Sequence, residues 1–305
     1  MTDPTQIQQY EQRRQRLIGI GLMTVAVLLF AVLDATAKYL GGHLDTLQVV
    51  AMRFVTAFFV ALIFSNPILR PGMLRTARPG LQLVRGLFLV STTICNFFAF
   101  RYLQLDEALA ILFATPFLVA AVAGPILGEW IGWRRWTAIG VGFAGVLVVI
   151  RPGLGGMQWA ALISVGAAIF YAAYAIATRM AMRHESSETT LFYANLVGLL
   201  TMLPVLPFVW TTPSPLDFVM LVGVGALGTL GHFLLILAHR RTPASTLSPF
   251  MYTQLIWATA LGYLVFNDVP NRWTLIGAGI VVASGLYLLY REQKVRGAVA
   301  PVAPR

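Results

Sequence analysis

LLFAVLDATAKYL, residues 28–40, can be laid on IFYAAYAIATRMA, residues 169–181, which puts Lys38 opposite Arg179 at an offset of 141. A second match follows in the same order. RRWTAIGVG (134–142) lies on PNRWTLIGAG (270–279), setting Trp136-Thr137 opposite Trp273-Thr274 and Gly140 opposite Gly277 at an offset of 137. Two matches in one order, differing by a small gap, describe a chain whose second half repeats its first.

Hydropathy shows what is repeated. Apolar stretches run at 17–40, 46–66, 82–103, 107–127, 136–150, 158–180, 189–209, 216–238, 244–266 and 273–290. A hydrocarbon core needs ~20 helical residues to cross it, and these stretches are about that long. Five fall in each copy, and an odd number of crossings forces the copies into opposite orientations. The expected fold is therefore all-α and integral to a membrane: ten transmembrane helices, as two inverted-topology five-helix repeats around a central cavity. The expected parts are an N-terminal tail at 1–16, repeats at 17–151 and 152–291, and a C-terminal tail at 292–305. The stretch behind the polar N-terminus is too long for a signal-peptide core and reads as a retained first helix.

Composition agrees. Hydrophobic residues make up 58% and charged residues 11%, against about 25% charged in a soluble protein. The net charge of +10 has no clustered basic domain behind it, so nucleic acid is not the expected partner. The basic residues instead sort by side. With ten alternating spans, 17 of the 22 Lys and Arg fall on one face, four (Lys38, Arg101, Arg151, Arg272) on the other, and Arg53 within a span. Cytoplasmic loops collect Lys and Arg, which predicts that both termini are cytoplasmic in a multi-pass protein of the bacterial inner membrane. Trp130, Trp133, Trp136, Trp159, Trp210 and Trp273 fall near span ends, as an interfacial belt would; Trp257 does not. Cys95 is the single cysteine, so no intrachain disulfide forms and no metal cluster is expected.

At these residues the chain resembles the drug/metabolite transporter superfamily, specifically its ten-helix EamA-type exporters. The resemblance is carried by FAVLDATAKYL with the following Arg53, by VRGLFLVSTTICNFFAFRYLQLDEALAILFATPF, by GEWIGWRRWTAIGVGFAGV and by TPASTLSPFMYTQLIWATALGYLVFND, and it covers residues 17–290. It implies two five-helix halves with a cavity lined mainly by spans 1, 3, 4, 6, 8 and 9. The ASTLSPFMYTQLIW run further resembles members that export amino acids and related metabolites.

No catalytic constellation is legible. The four histidines are scattered, no carboxylate pair lies at depth and there is no phosphate loop, so an intramembrane enzyme acting on lipid-linked substrates is the distant alternative. What remains is polar side chains in apolar helices, where charges seek the bundle interior or water. Asp34 and Lys38, four apart on one helical face, can pair, and Arg53 is near enough in depth to join them. They read either as a charged gate or as an ion network that fixes the first two helices. Thr92 and Asn96, Thr115, Tyr171 and Tyr174, His232, Tyr252, Gln254 and Trp257 are the substrate-cavity candidates, with interhelical hydrogen bonding as the plainer role. Pro116 and Pro249 lie in corresponding spans and should kink them. Gly225, Gly228 and Gly231 should let neighbouring helices approach closely. Glu129 reads as a surface ion pair with Arg134 and Arg135.

The expectation is a secondary transporter, not an enzyme, that exports small amphipathic metabolites, amino acids including aromatic ones foremost, by alternating access. Carriers of cationic drugs, nucleobases or other metabolites of the same superfamily are the alternative. No cofactor and no obligate protein partner are expected. Protons are the candidate coupling ion, with His232 as the group to titrate.

Overall fold

The structure, a computed structural model, describes residues 4–65, 74–127, 132–152 and 159–298. Glu129 and Trp130 lie outside these residues. The described chain is helical: α1 (Pro4–Gly41), α2 (Thr46–Ser65), α3 (Pro79–Phe100), α4 (Leu105–Leu112), α5 (Thr115–Leu127), α6 (Trp133–Ile150), α7 (Trp159–Ala181), α8 (Ser187–Met202), α9 (Leu206–Val209), α10 (Pro215–Arg241), α11 (Ala244–Met251), α12 (Thr253–Phe266) and α13 (Arg272–Ala298). A helix satisfies every backbone group internally, which is why apolar runs of this length take no other form in lipid. Among the described residues, eight segments are long and apolar enough to cross a membrane. As unbroken helices, α8 at 16 residues and α12 at 14 fall short of that length. The polar residues before position 17 are already helical, from Pro4 onward.

Helix ends follow local chemistry. Ser186 and Ser214 accept hydrogen bonds from the backbone N–H groups of Thr189 and Asp217, capping α8 and α10. Proline opens α3 and α10, where its missing N–H costs nothing. At the other ends, Asn267 (φ 55°) and Arg151 (φ 51°) turn left-handed and stop α12 and α6. Trp133, Trp136, Trp159, Trp210 and Trp273 are exposed near helix ends.

The packing is symmetrical between halves. α1 packs on α10 as α3 packs on α7, and α2 meets α8 while α6 meets α13. α10 against α2 is matched by α3 against α8, and α1 against α12 by α7 against the α4–α5 pair. Glycines permit the closest crossings. A Cβ at Gly225 would stand 2.6 Å from the Arg53 carbonyl oxygen, and one at Gly231 would stand 2.7 Å from the Phe30 ring. One at Gly277 would stand 2.6 Å from the Gly145 carbonyl oxygen. The Gly225/Gly228/Gly231 row therefore works as expected, seating α10 against α1 and α2.

Candidate transport site

Two spans are interrupted, and the interruptions face each other. The first lies at Phe113 and Ala114, between α4 and α5; the second is at Tyr252, between α11 and α12. Pro116 cannot donate to the Leu112 carbonyl four residues back. The Thr115 hydroxyl donates to that carbonyl instead, at 2.6 Å. In the other half, the Thr253 hydroxyl donates to the Phe250 carbonyl, also at 2.6 Å. The prolines thus mark the breaks without sitting in them. The Phe113 and Tyr252 rings meet across the gap edge to face, centroids 5.2 Å apart and planes inclined at 63°.

One end of the bundle is stitched shut. Lys38 does not pair with Asp34. It reaches Asp268 at 2.6 Å and the Leu103 carbonyl at 3.0 Å, joining α1 to the loops after α3 and α12. Helix geometry explains the difference: Lys38 sits in the last turn of α1, where the carbonyl end of a helix and the adjacent loops favour a cation. The buried Gln48 side chain clamps Thr211 in both directions, donating to its carbonyl at 2.8 Å and accepting from its N–H at 2.9 Å. His43 contacts Asp217 at 3.1 Å. Asp106 and Glu107, at the start of α4, are also buried at this end.

The other end, where Arg240 and the start of α8 lie, opens into a cavity of about 400 Å³. Arg85, Tyr174, Thr178, Thr190, His232 and Arg240 are among its lining residues. It is bounded by α3, α7, α8 and α10, so it uses three of the six spans expected (3, 6 and 8) and adds span 7 in place of 1, 4 and 9. Tyr174 stacks on Tyr171, ring centroids 5.9 Å apart and 18° from parallel. His232 packs on Phe30 at 4.9 Å. At its deep end, Tyr174, Leu191 and His232 also border a second void of about 20 Å³ that touches Arg53, Asn195 and Thr229.

The remaining candidates are distributed through the walls. Asp34, buried, accepts from Gln254 at 3.2 Å and so ties α1 to α12. Arg53 donates to the Thr93 hydroxyl and lies over the Phe54 and Phe97 rings. The charged trio expected in one cluster is therefore split, with Lys38 at the closed end and Asp34 and Arg53 deeper. Thr92 donates to the Phe88 carbonyl of its own helix at 2.9 Å. Asn96 is buried with its Oδ1 unpartnered. Trp257 packs outside this cavity, with Met23, Val27, Ala238 and Leu247. Tyr252 has an unpartnered hydroxyl close against Gly285. Of the nine cavity candidates, Tyr174 and His232 line the 400 Å³ cavity.

Two participants were not singled out from the sequence. Arg85 counted there as one more basic residue beside a loop, yet it is 1% exposed. Its guanidinium donates to Gln82 and to the Thr190 carbonyl, and at 3.4 Å to the Tyr174 hydroxyl, whose ring it also covers. Asp268, the partner of Lys38, lies 230 residues away in the chain. Its signal is a lone acid just past the end of an apolar span.

The EamA-like transporter family profile matches residues 17–151 and again residues 158–291. The chain belongs to the EamA-like transporter family. As an EamA-like protein of the drug/metabolite transporter superfamily it is a multi-pass membrane transporter and not an enzyme. It is 30% identical to an S-adenosylmethionine uptake transporter of Rickettsia conorii, over 91% of this chain and 94% of that one. It is 28% identical to a riboflavin transporter of Vibrio cholerae, over 91% and 95%. It is 25% identical to a pseudopaline exporter of Pseudomonas aeruginosa, over 90% and 97%. None of these three names amino-acid export. A solved crystal structure 18% identical in sequence shares the fold at a TM-score of 0.61, over 93% of this chain and 99% of that one.

Proposed function

We propose that this EamA-like transporter is a bacterial inner-membrane carrier of small amphipathic metabolites that contain a flat ring, aromatic amino acids and amino-acid-derived heterocycles among them. It works by alternating access between two inverted five-helix repeats, 17–151 and 152–291, with both termini cytoplasmic. One observation carries the reading. Tyr174, its ring stacked on Tyr171, lines a 400 Å³ cavity that opens at the Arg-rich end of the bundle. That is the size and lining of a small-ligand pocket, largely apolar with a few polar groups. The symmetrical helix pairing supports the inverted repeat, and the Arg-rich end is the one that the distribution of basic residues assigns to the cytoplasm.

In this reading the protein is captured open to the cytoplasm, with Lys38–Asp268 and the Gln48–Thr211 clamp holding the far end closed. Transport requires the halves to rock about the Phe113–Tyr252 contact until those links part. Direction follows the solute gradient. His232, beside the substrate path, is the coupling group if protons drive the step; pH-dependent flux would then disappear in His232→Ala. Riboflavin and S-adenosylmethionine, which the relatives' names give, each join a flat heterocycle to a polar chain, and this favours heterocyclic metabolites over amino acids alone.

The test is uptake of a labelled panel (tryptophan, phenylalanine, S-adenosylmethionine, riboflavin, a quaternary amine) into proteoliposomes. Saturable flux of a ring-bearing metabolite, cut at least tenfold by Tyr174→Ala, is the expected result. Flux of the amine alone, or none of any solute, would overturn the reading.

A further inference from the structure

The cavity and the void at its deep end are lined by Arg85, Arg240 and Arg53 and, among the described residues, by no carboxylate. Arg240 is paired with Glu188. Arg85 spends its donors on neutral acceptors that hold it in place, namely Gln82, the Thr190 carbonyl and Tyr174. Arg53 is different. A guanidinium carries five N–H donors, and among the described residues the Thr93 hydroxyl takes one from Arg53. Its ring neighbours, Phe54 and Phe97, accept none in the ordinary sense. Asp34 acts on it through space while its own carboxylate is engaged by Gln254.

The void beside Arg53 is about 20 Å³, room for one water, and it shares Tyr174, Leu191 and His232 with the open cavity. Asn195 and Thr229, on facing helices, add further polar groups there. A half-buried cation beside this void, on a solute path walled largely by apolar groups, attracts an anion, because low dielectric magnifies the interaction. A planar fork matches a carboxylate in two-point contact.

We infer that Arg53 is the docking point for a carboxylate of the transported solute, so that the carrier selects ring compounds bearing a carboxylate over amides and amines of the same shape. This deepens the proposed function and rests on it. The solute enters with its acid leading. The carboxylate displaces water at Arg53, and the ring comes to rest against Tyr174. Arg85 contributes by fixing the Tyr174 ring from behind.

The experiment uses the purified full-length protein in nanodiscs and three probes of one shape: L-tryptophan, indole-3-propionate and L-tryptophanamide. In the unaltered protein the two acids should bind at least tenfold more tightly than the amide. Arg53→Gln should bring the acids to the level of the amide, and Arg53→Lys should fall between. Equal binding of all three by the unaltered protein would overturn the docking role and leave the ring site standing. An undiminished preference for the acids in Arg53→Gln would also overturn it. Binding of none of the three would overturn the docking role, while uptake of the wider panel decides the ring site separately. The comparison within the unaltered protein decides the matter even if Arg53→Gln fails to fold.

Discussion

Phe113 and Tyr252 touch edge to face, ring centroids 5.2 Å apart, and each sits at the interruption of its own span. They are 139 residues apart, between the offsets of 141 and 137 that relate the two halves elsewhere. The contact thus joins equivalent positions of the two repeats. Around it, Thr115 and Thr253 cap equivalent carbonyls. In the proposed rocking motion this aromatic contact between the two breaks is the pivot.

The aromatic contact should be measurable by a double-mutant cycle. Phe113→Ala and Tyr252→Ala should show a coupling of about 0.5–1.5 kcal/mol, the excess of an aromatic pair over simple burial. Chemical or thermal unfolding in detergent reads it. Strict additivity would mean that the rings are neighbours without interaction.

Gly225 and Gly223 make a matched comparison on one helix. A Cβ at 225 would lie 2.6 Å from the Arg53 carbonyl oxygen and 2.9 Å from the Ala57 nitrogen, backbone atoms that cannot swing aside. Gly225→Ala should therefore lose about 1–3 kcal/mol through overpacking. Gly223 has nothing within 4 Å, so Gly223→Ala should be neutral or gain up to about 1 kcal/mol from helix propensity. The melting temperature should fall in Gly225→Ala and stay level or rise in Gly223→Ala; a fall of equal size in both would contradict the packing argument.

Lys38 and Asp268, 14% and 23% exposed in their side chains, form a pair intermediate between surface and buried cases. Removing either partner should weaken the closed end by roughly 1–2 kcal/mol. Lys38→Ala should raise labelling of a cysteine placed at Gln104 by an impermeant reagent. The charge swap Lys38→Asp with Asp268→Lys should restore protection. Unchanged labelling in the single variants would show that the pair does not hold this end.

Outside the membrane-spanning segments, the Thr76 hydroxyl, and with it the Ala77 N–H, holds the Glu185 carboxyl below its ordinary range. A carboxylate with a depressed folded pKa stabilises the fold above its unfolded pKa and loses that contribution as pH falls through the folded value. Between pH 7 and the low end of the carboxylate range, Glu185→Gln should therefore flatten the decline of melting temperature relative to the unaltered protein. A decline of the same steepness would show that the link contributes nothing to folding.

The apolar stretches are legible because lipid leaves helix as the form for such a run, and the described residues of each are largely helical, although α1 begins at Pro4 rather than 17, α8 stops at Met202 and α13 runs on to Ala298. The breaks were harder. Pro116 and Pro249 signal them, but each interruption falls two or three residues from its proline, and in the first half the Thr115 hydroxyl serves the Leu112 carbonyl that Pro116 leaves without an N–H. Arg85 was obscured because a residue near a span end looks like a loop cation, whereas α3 begins three residues earlier than hydropathy suggests and carries it inward. Local spacing offers Asp34 as a partner for Lys38, whereas the partner it takes, Asp268, lies in the other half. Trp257 drew attention as a large polar-tipped ring, yet it fills a gap between α1, α10 and α11.

The alternating cavity is tested most directly by a reporter at its wall. In a background with Cys95 replaced by Ala, Thr178→Cys should react with an impermeant thiol reagent from the cytoplasmic side of oriented membranes and be protected from the outside. Breaking Lys38–Asp268 should shift reactivity toward the outside. Equal reactivity from both sides at once, or none from either under all conditions, would contradict a carrier that opens to one compartment at a time.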